Sequence, residues 1–344
     1  MEVNEVLRVA LDAMGGDHAP GEVIQGGLEA VLELEDLQLV IVGPQDIIED
    51  HLAGKVYPRK RVEVIHAPEV ITAADAAVMA VRRKKNSSMM TAIRMMKNGE
   101  VDAAVSAGNT GALMAGSLML AGRLAGIERP ALTIVAPTFK GGNVVLLDVG
   151  ANMDAKTEHL TRYALMGKIY AREVLHKPEP RVALLNVGTE ENKGNDQVRK
   201  AFEMLKVSLP GFIGNVEARD ILDGVADVVV CDGFVGNILL KSIEGMAAGM
   251  FGQLKEAFSA NLKSKLAAAV LLPELKKMKK KLDYAEYGGA PLLGVDGVSI
   301  KGHGSSKARA IRSAIVTQAY PFAKQNVNGQ IQRELAAFDM EDKS

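Results

Sequence analysis

The sequence predicts an α/β fold in three layers, with a mostly parallel β-sheet covered by helices on both faces. Short apolar runs such as Leu37–Val42 alternate with segments of helical periodicity such as Val23–Leu34, which is the pattern of a parallel sheet. The 34 glycines stand mostly in loops after the apolar runs, where α/β proteins bind ligands. Because 344 residues with 48% hydrophobic content can form one large core, we predict a single unit over residues 1–344.

Composition excludes several classes of protein. The 41 lysines and arginines are balanced by 42 aspartates and glutamates, so no basic field attracts nucleic acid, and an aromatic content of 4% provides few base-stacking platforms. The single cysteine, Cys231, ends a valine-rich strand and is expected to be a packed small side chain. No apolar run approaches the ~20 residues that cross a bilayer. We expect a cytosolic protein without a disulfide, a metal or a cofactor.

The first strand, Leu7–Leu11, ends in a glycine-rich loop, and Pro20 stands where a helix begins. Glycines let the backbone approach a ligand, and the free N–H groups of a helix N-terminus favour an anion. The other interpretation is a tight turn capped by Asp12 or Asp17. The candidate binding residues of this loop are Asp12, Gly15, Gly16 and His18.

A second glycine-containing loop, also between a strand and a helix N-terminus, follows a later strand. After strands at Leu37–Val42 and Val62–His66, and a helix at Met89–Met96 capped by Ser87 or Ser88, a short strand leads to Ser106. A turn with two glycines and the helix Ala112–Leu120 come next. One polar residue suffices to cap a helix, whereas this turn has Ser106, Asn109 and Thr110. We favour an anion site here.

Strands at Leu132–Ala136 and Val144–Leu147 precede Asp148 and a long helix, Thr157–Val174. The next strand opens into a polar loop that contains Asn186 and Lys193. A cation in such a loop binds phosphate or is an ordinary surface lysine, and the loop alone favours neither. Strands at Phe212–Val216 and Val228–Cys231 follow, and the second leads to Asn237 and a helix.

The last predicted strand, Val298–Lys301, leads into a loop with His303 and Ser305 and a helix to Tyr320. Lys307 lacks the glycine spacing of a P-loop and stands where a dinucleotide fingerprint has its third glycine. Glycine, serine and lysine at a helix N-terminus still suit a small anion. His303 caps this turn or takes part in an active site.

The segment 259–287 is predicted to form a protruding helical hairpin. Leu266–Leu272 would be its apolar tip and the lysines before Lys281 its stem. An apolar tip beside lysines binds an anionic membrane surface peripherally, with Leu266, Val270, Leu271 and Leu272 as the contacts. The other interpretation is a buried turn of helix with a solvated charged face. Dimerisation through the same helices is compatible with the peripheral membrane contact.

The strand-end residues provide hydrogen-bond donors, a cation and helix N-termini. Neither an HExxH metal motif nor a GxSxG nucleophile motif is present. These donors, the cation and the helix N-termini fit a direct transfer, in which phosphate itself attacks an activated acyl group.

Six motifs in order resemble the bacterial PlsX phosphate acyltransferases. They are Asp12-Ala-Met-Gly-Gly-Asp-His-Ala-Pro20, Ser106-Ala-Gly-Asn-Thr-Gly111, Leu147-Asp-Val-Gly-Ala-Asn152, Leu185-Asn-Val-Gly-Thr-Glu190, Gly214-Asn-Val-Glu-Ala-Arg219 and His303-Gly-Ser-Ser306. The resemblance runs from about Leu7 to near Tyr320. It implies the fold of phosphotransacetylases and of isocitrate/isopropylmalate dehydrogenases, as a homodimer. The implied reaction converts fatty acyl-[acyl carrier protein] and inorganic phosphate to acyl phosphate for phospholipid synthesis.

The resemblance also implies a membrane-contacting hairpin, a cytoplasmic enzyme at the inner face of the cell membrane, and a downstream glycerol-3-phosphate acyltransferase. Lys193 and Asn237 fall on active-site positions. Our hypothesis is that Lys193, Ser106 and Thr110 hold phosphate, Asn237 donates to the thioester oxygen, and His303 or His18 protonates the leaving sulfur. The alternatives are a phosphotransacetylase acting on acetyl-CoA, a dehydrogenase of related fold and a non-catalytic membrane scaffold.

Overall fold

The computed structural model describes residues 6–281 and 288–341, and these contain one sheet of eleven strands. The strands are β1 (Leu7–Asp12), β2 (Leu37–Gly43), β3 (Val62–His66), β4 (Ala103–Ser106), β5 (Ala131–Pro137), β6 (Asn143–Leu147), β7 (Val182–Asn186), β8 (Phe212–Glu217), β9 (Val228–Val230), β10 (Ala290–Leu293) and β11 (Val298–Lys301). Their spatial order is β3-β2-β1-β4-β11-β10-β5-β6-β9-β7-β8.

Helices connect most of these strands. They are α1 (Gly21–Glu33), α2 (Gln45–Leu52), α3 (Ala77–Arg83), α4 (Ser88–Lys97), α5 (Thr110–Leu120), α6 (Thr157–Glu173), α7 (Asp196–Ser208), α8 (Gly233–Ser259), α9 (Leu262–Lys281), α10 (Ala308–Ser313), α11 (Tyr320–Lys324) and α12 (Val327–Glu341). Short 3₁₀ turns occur at Arg59–Arg61 and Ala218–Asp223, and a π-helical segment, Ala314–Ala319, joins α10 to α11. The helix predicted to reach Tyr320 therefore changes its hydrogen-bonding pattern on the way.

The sheet consists of two parallel groups that run in opposite directions. Strands β3, β2, β1, β4 and β11 form one group, and β6, β9, β7 and β8 form the other. Between them, β10 is antiparallel to β11 and β5, and β5 is antiparallel to β6. Most pairings are parallel, which confirms the predicted sheet. Strand β10 was not predicted, because it is short and contains Pro291, which strand patterns disfavour.

Successive residues of the central strands enter apolar clusters on opposite faces of the sheet. In β1, Val9 and Leu11 pack in a cluster with residues of α1 and α6, whereas Ala10 packs in a cluster with residues of α4 and α5. In β2, Leu39 and Val40 divide in the same way. Side chains alternate across a strand, so a strand buried on both faces requires helices on both. The predicted three layers are confirmed.

Helices α8 and α9 pack against each other as a hairpin that extends from the sheet. In α8, a helix of roughly 40 Å at 1.5 Å per residue, only Gly233 and Gly236 are buried. The hairpin turn is at residues 260–261, and Leu262–Lys281 is one helix with Pro273 inside it. The prediction that Leu266–Leu272 forms the tip is wrong, because these residues lie along α9. Residues 282–287 of the predicted hairpin lie outside the described residues.

Within the two described ranges, none of the helices combines the length and the hydropathy that crossing a membrane requires.

Candidate active site

The ends of β1 and β4 meet in a buried hydrogen-bonded pair. Asp12 is 2% exposed and Ser106 is 1% exposed, and the Ser106 hydroxyl donates to Asp12 Oδ2 at 2.6 Å. The Met14 amide donates to Oδ1 at 3.2 Å, and the side chain of Ser88 also hydrogen-bonds the carboxyl group. Burial raises the pKa of Asp12, and these hydrogen bonds oppose the rise. Two predicted site residues thus form one local structure.

Gly15 and Gly16 allow the loop after β1 to press against two other strand-end loops. A Cβ atom on Gly15 would lie 2.7 Å from the amide nitrogen of Gly108, which is closer than real Cβ contacts. Gly16 has a φ of +112°, a conformation that favours glycine. The amide of Asp17 then donates to the carbonyl of Gly304 at 2.8 Å. The loops that follow β1, β4 and β11 therefore meet, as their shared sheet edge predicts.

His303 and Ser305 lie in the third of these loops, and both are exposed. His303 Nδ1 accepts from the Ser305 amide at 3.3 Å and lies 2.8 Å from Ser305 Oγ. A ring nitrogen that accepts from a backbone N–H carries no proton, so the neutral ring is protonated on Nε2. His18, in the first loop, is also exposed.

Lys301, the last residue of β11, is a candidate that the sequence pattern did not single out. It is 8% exposed, and its ammonium group donates to the carbonyls of Ala107, at 3.4 Å, and of Gly302. Burial lowers the pKa of Lys301 to about 8, and the charges of Asp12 and Asp17 oppose this shift. The available signal was a lysine at the end of a short buried strand that has only one other polar residue, Ser299.

Asn109 uses both polar atoms of its amide to hold the backbone. Its Oδ1 accepts from the Ala112 amide at 3.0 Å, which caps α5, and its Nδ2 donates to the carbonyls of Thr72 at 3.2 Å and Asp75 at 3.0 Å. Thr110, the first residue of α5, is exposed. Of these two predicted residues, Thr110 has the side chain that is accessible to a phosphate.

Asp148 follows β6 and is fully buried. Its Oδ1 accepts from the amides of Leu132 at 3.0 Å, Gly150 at 3.0 Å and Ala151 at 2.8 Å, and its Oδ2 accepts from the Asn152 amide at 2.6 Å. Burial raises the pKa of Asp148, and these backbone hydrogen bonds oppose the rise. The carboxylate is enclosed by these backbone donors and holds the shape of the loop, and its predicted contact with phosphate stays a prediction.

Helix α8 begins directly against this loop. A Cβ atom on Gly236 would clash with the Asp148 carbonyl oxygen, so the first turns of α8 and the loop are in close contact. Asn237 is exposed, and a Cβ atom on Gly150 would lie 3.7 Å from its Oδ1. Cys231 is 6% exposed and burial raises its pKa well above the usual value, so it is the packed small side chain that was predicted.

The loop after β7 holds Asn186 and Lys193. Asn186 Nδ2 donates to the Lys193 carbonyl at 3.0 Å, and its Oδ1 accepts from the Val187 amide at 2.8 Å. The Lys193 side chain is 49% exposed, and its Nζ lies 3.9 Å from Glu190 Oε1. An exposed ion pair this long holds the lysine weakly, so its charge is available to a bound anion.

These contacts divide the predicted residues into three groups. The first group lies at the ends of β1, β4 and β11, the second at the end of β6, and the third at the end of β7. The first group belongs to one parallel half of the sheet, and the other two belong to the half of opposite direction. The hypothesis that Ser106, Thr110 and Lys193 hold one phosphate therefore joins two halves of the sheet and stays a prediction.

The four predicted membrane-contact residues are all exposed. The exposed fractions are 63% for Leu266, 79% for Val270, 46% for Leu271 and 47% for Leu272. Exposed apolar side chains on one helix mark a surface available to another apolar surface.

Comparison with known proteins identifies the family. The model of a family described as "Fatty acid synthesis protein" matches residues 7–330. A phosphate acyltransferase from Brevibacillus brevis is 52% identical over 329 residues, which cover 96% of this chain and 97% of the relative. One from Bacillus subtilis is 50% identical over 330 residues, covering 96% and 98%. The chain belongs to this phosphate acyltransferase family. The resemblance to PlsX enzymes is confirmed, and the chain is an acyltransferase.

Solved structures confirm the predicted fold. A phosphotransacetylase from Streptococcus pyogenes superposes with a TM-score of 0.62 at 16% identity, covering 93% of this chain and 94% of that one. A 4-hydroxythreonine-4-phosphate dehydrogenase from Klebsiella pneumoniae gives a TM-score of 0.53 at 14% identity, covering 93% and 98%. At these identities the similarity establishes the fold alone.

Proposed function

We propose that this acyltransferase transfers a fatty acyl group from acyl-[acyl carrier protein] to inorganic phosphate, giving acyl phosphate for phospholipid synthesis. The observation that carries the proposal is the identity of about half of the residues, over nearly the full length, to proteins named phosphate acyltransferase. The description of the family as fatty acid synthesis proteins supports a fatty acyl substrate.

In the proposed reaction, a phosphate oxygen attacks the carbonyl carbon of the thioester. The tetrahedral intermediate collapses, the C–S bond breaks, and the carrier's thiolate takes up a proton. A typical thiol has a pKa near ~8.5, so it leaves without strong acid assistance. The demanding steps are to hold two anions together and to stabilise the oxyanion. The thiol of Cys231 is buried and its pKa is raised. This supports direct attack of phosphate on the thioester rather than a reaction through a cysteine-linked acyl intermediate.

The proposed roles fall on exposed residues, except that of Ser106, which is buried. Lys193 and Thr110 hold the phosphate with a charge and a hydroxyl, and Ser106 supports them from the end of β4. Asn237 donates to the thioester oxygen. His303 protonates the leaving sulfur from Nε2, the ring nitrogen left with its proton when Nδ1 accepts from the backbone. His18 is the other candidate for this proton.

The remaining proposals concern location and partners. Helices α8 and α9 expose apolar side chains beside lysines, which supports peripheral contact with an anionic membrane at the inner face of the cell membrane. The same exposed helices suit a homodimer. A membrane-bound glycerol-3-phosphate acyltransferase would consume the acyl phosphate.

The test is mass-spectrometric detection of acyl phosphate after mixing the chain with long-chain acyl-[acyl carrier protein] and phosphate. Parallel reactions contain acetyl-CoA with phosphate, or the long-chain donor without phosphate. We expect a long-chain acyl phosphate that forms only with phosphate present. Turnover of acetyl-CoA alone would indicate a phosphotransacetylase instead. Absence of product in every reaction, with lipid vesicles also present, would contradict the proposal.

A further inference from the structure

A cavity of about 270 Å³ lies between α5 and the loop that Asp148 shapes. Its walls include the apolar side chains of Met114, Leu118 and Leu292 and the polar side chains of Arg123, Arg129 and Asn152. Helix α5 follows the Ser106 loop of one half of the sheet, whereas Asn152 follows β6 of the other half. The cavity therefore lies at the junction of the two halves of the sheet. Ligand pockets occur preferentially at such junctions between structural units.

The two arginines differ in their partners. Arg123 donates to the carbonyl of Glu128 at 2.7 Å, which fixes it at the wall. Arg129 is exposed and forms no hydrogen bond or ion pair with residues 6–281 or 288–341. The carboxylate of Glu128, the acidic group beside them, lies 3.3 Å from His159 Nε2. Arg129 thus keeps a guanidinium group free for the bidentate pairing that this group forms with phosphate and carboxylate.

The wall opposite α5 is held rigidly. Asn152 Nδ2 donates to the carbonyl of Pro130 at 2.6 Å and to the hydroxyl of the buried Tyr163 at 2.8 Å. The backbone N–H of Asn152 donates to Asp148 Oδ2. A wall that is already ordered loses little conformational entropy when a ligand binds. Gly150 precedes these wall residues in the same loop, and a Cβ atom placed on it would lie 3.7 Å from Oδ1 of Asn237, a proposed catalytic residue.

The size and the lining together define the occupant. A cavity of about 270 Å³ is far larger than the space that one water requires, so it has room for more than a single phosphate ion. One part of the wall is cationic and another is apolar, so a lone anion would leave the apolar part unused. We infer that the cavity binds the anionic head and the first methylene groups of a single-chain amphiphile. The assignment of acyl phosphate as the natural occupant rests on the proposed function.

The test is calorimetric titration of the full chain with dodecyl phosphate below its critical micelle concentration. Dodecanoate and inorganic phosphate are titrated in parallel, to distinguish a phosphate head from a carboxylate head and the chain from the head alone. We expect Arg129→Gln to weaken dodecyl phosphate binding about tenfold or more, because a hydrogen-bonded charge is lost. Met114→Gln should weaken dodecyl phosphate binding and leave phosphate binding unchanged.

Arg82→Gln is the matched control, because Arg82 is also exposed and lies on α3, away from the cavity. Equal affinities for the wild type and Arg129→Gln would overturn the inference, as would an equal loss in Arg82→Gln, which would indicate a general charge effect. Binding is measured without turnover, so a failure of the proposed reaction and a failure of this site give different results.

Discussion

Ser106 donates a 2.6 Å hydrogen bond to Asp12, although 94 positions separate the two residues in the chain. The bond joins the carboxyl ends of β1 and β4, which are neighbours in the sheet. Both side chains are buried, so neither can replace its partner with water. The pair anchors the loop after β1. In this loop, Gly15 packs closely against the start of the turn between β4 and α5.

Ser106→Ala should lower the free energy of unfolding by about 1–3 kcal/mol, because a buried carboxyl group loses a hydrogen bond. Urea denaturation measures this change. Ser305→Ala is the control, since Ser305 is exposed and should change stability little. Equal stabilities of the wild type and Ser106→Ala would show that the hydrogen bond does not stabilise the fold.

Lys301→Met should remove a pH dependence of stability. The pKa of Lys301 is about 8 in the folded chain and ~10.4 in an unfolded one, so between these values the unfolded state binds more protons. The free energy of unfolding of the wild type should therefore rise with pH, relative to Lys301→Met, by up to about 3 kcal/mol. Urea denaturation from pH 7 to 10.5 measures the difference. A constant difference across this range would contradict the buried charge.

Lys193→Ala should reduce kcat/KM for phosphate about 100-fold, or about 2.7 kcal/mol of transition-state stabilisation. The side chain is half exposed, so the thermal midpoint should stay within a degree or two of the wild type. Lys200→Ala, on the exposed surface of the adjacent α7, is the control and should retain activity. If Lys193→Ala turned over at the wild-type rate, Lys193 would not be a phosphate ligand.

Asp148→Asn should destabilise the fold by about 2–4 kcal/mol, because an amide offers one oxygen to the backbone donors that two carboxylate oxygens serve. Differential scanning calorimetry measures the loss, with Asp154→Asn, at an exposed position of the same region, as the control. Retention of the wild-type melting temperature would refute the structural role of Asp148 and reopen its assignment as a direct ligand.

Replacing Val270 and Leu271 together with glutamine should reduce cosedimentation with anionic phospholipid vesicles. Both side chains are exposed on α9, so the helix content measured by circular dichroism should not change. Val207→Gln removes an apolar side chain of α7 that is 90% exposed, more than either of these residues, and should bind vesicles like the wild type. Undiminished binding by the double variant would exclude this face as the membrane contact.

The sequence by itself determined the α/β class, the family and most strand ends. These follow from local causes, since apolar runs, glycine turns and helix periodicity each depend on a few neighbouring residues. Asp12, Ser106 and His303 were predicted as site residues in loops at strand ends, and the structure places these loops together.

Only the tertiary structure decided the features that depend on distant partners. Three antiparallel pairings, of β11 with β10, β10 with β5 and β5 with β6, separate the two parallel groups of strands, and no local pattern indicates them. The buried ammonium group of Lys301 contacts the carbonyl of Ala107 and interacts with the carboxylates of Asp12 and Asp17, all on other loops. Asn109 binds a backbone segment more than thirty positions away. The position of the turn between α8 and α9 also depends on packing, because the sequences on both sides of the turn favour helix. Burial and contacts between residues that are distant in the chain determine these properties. Local sequence patterns do not reveal either of them.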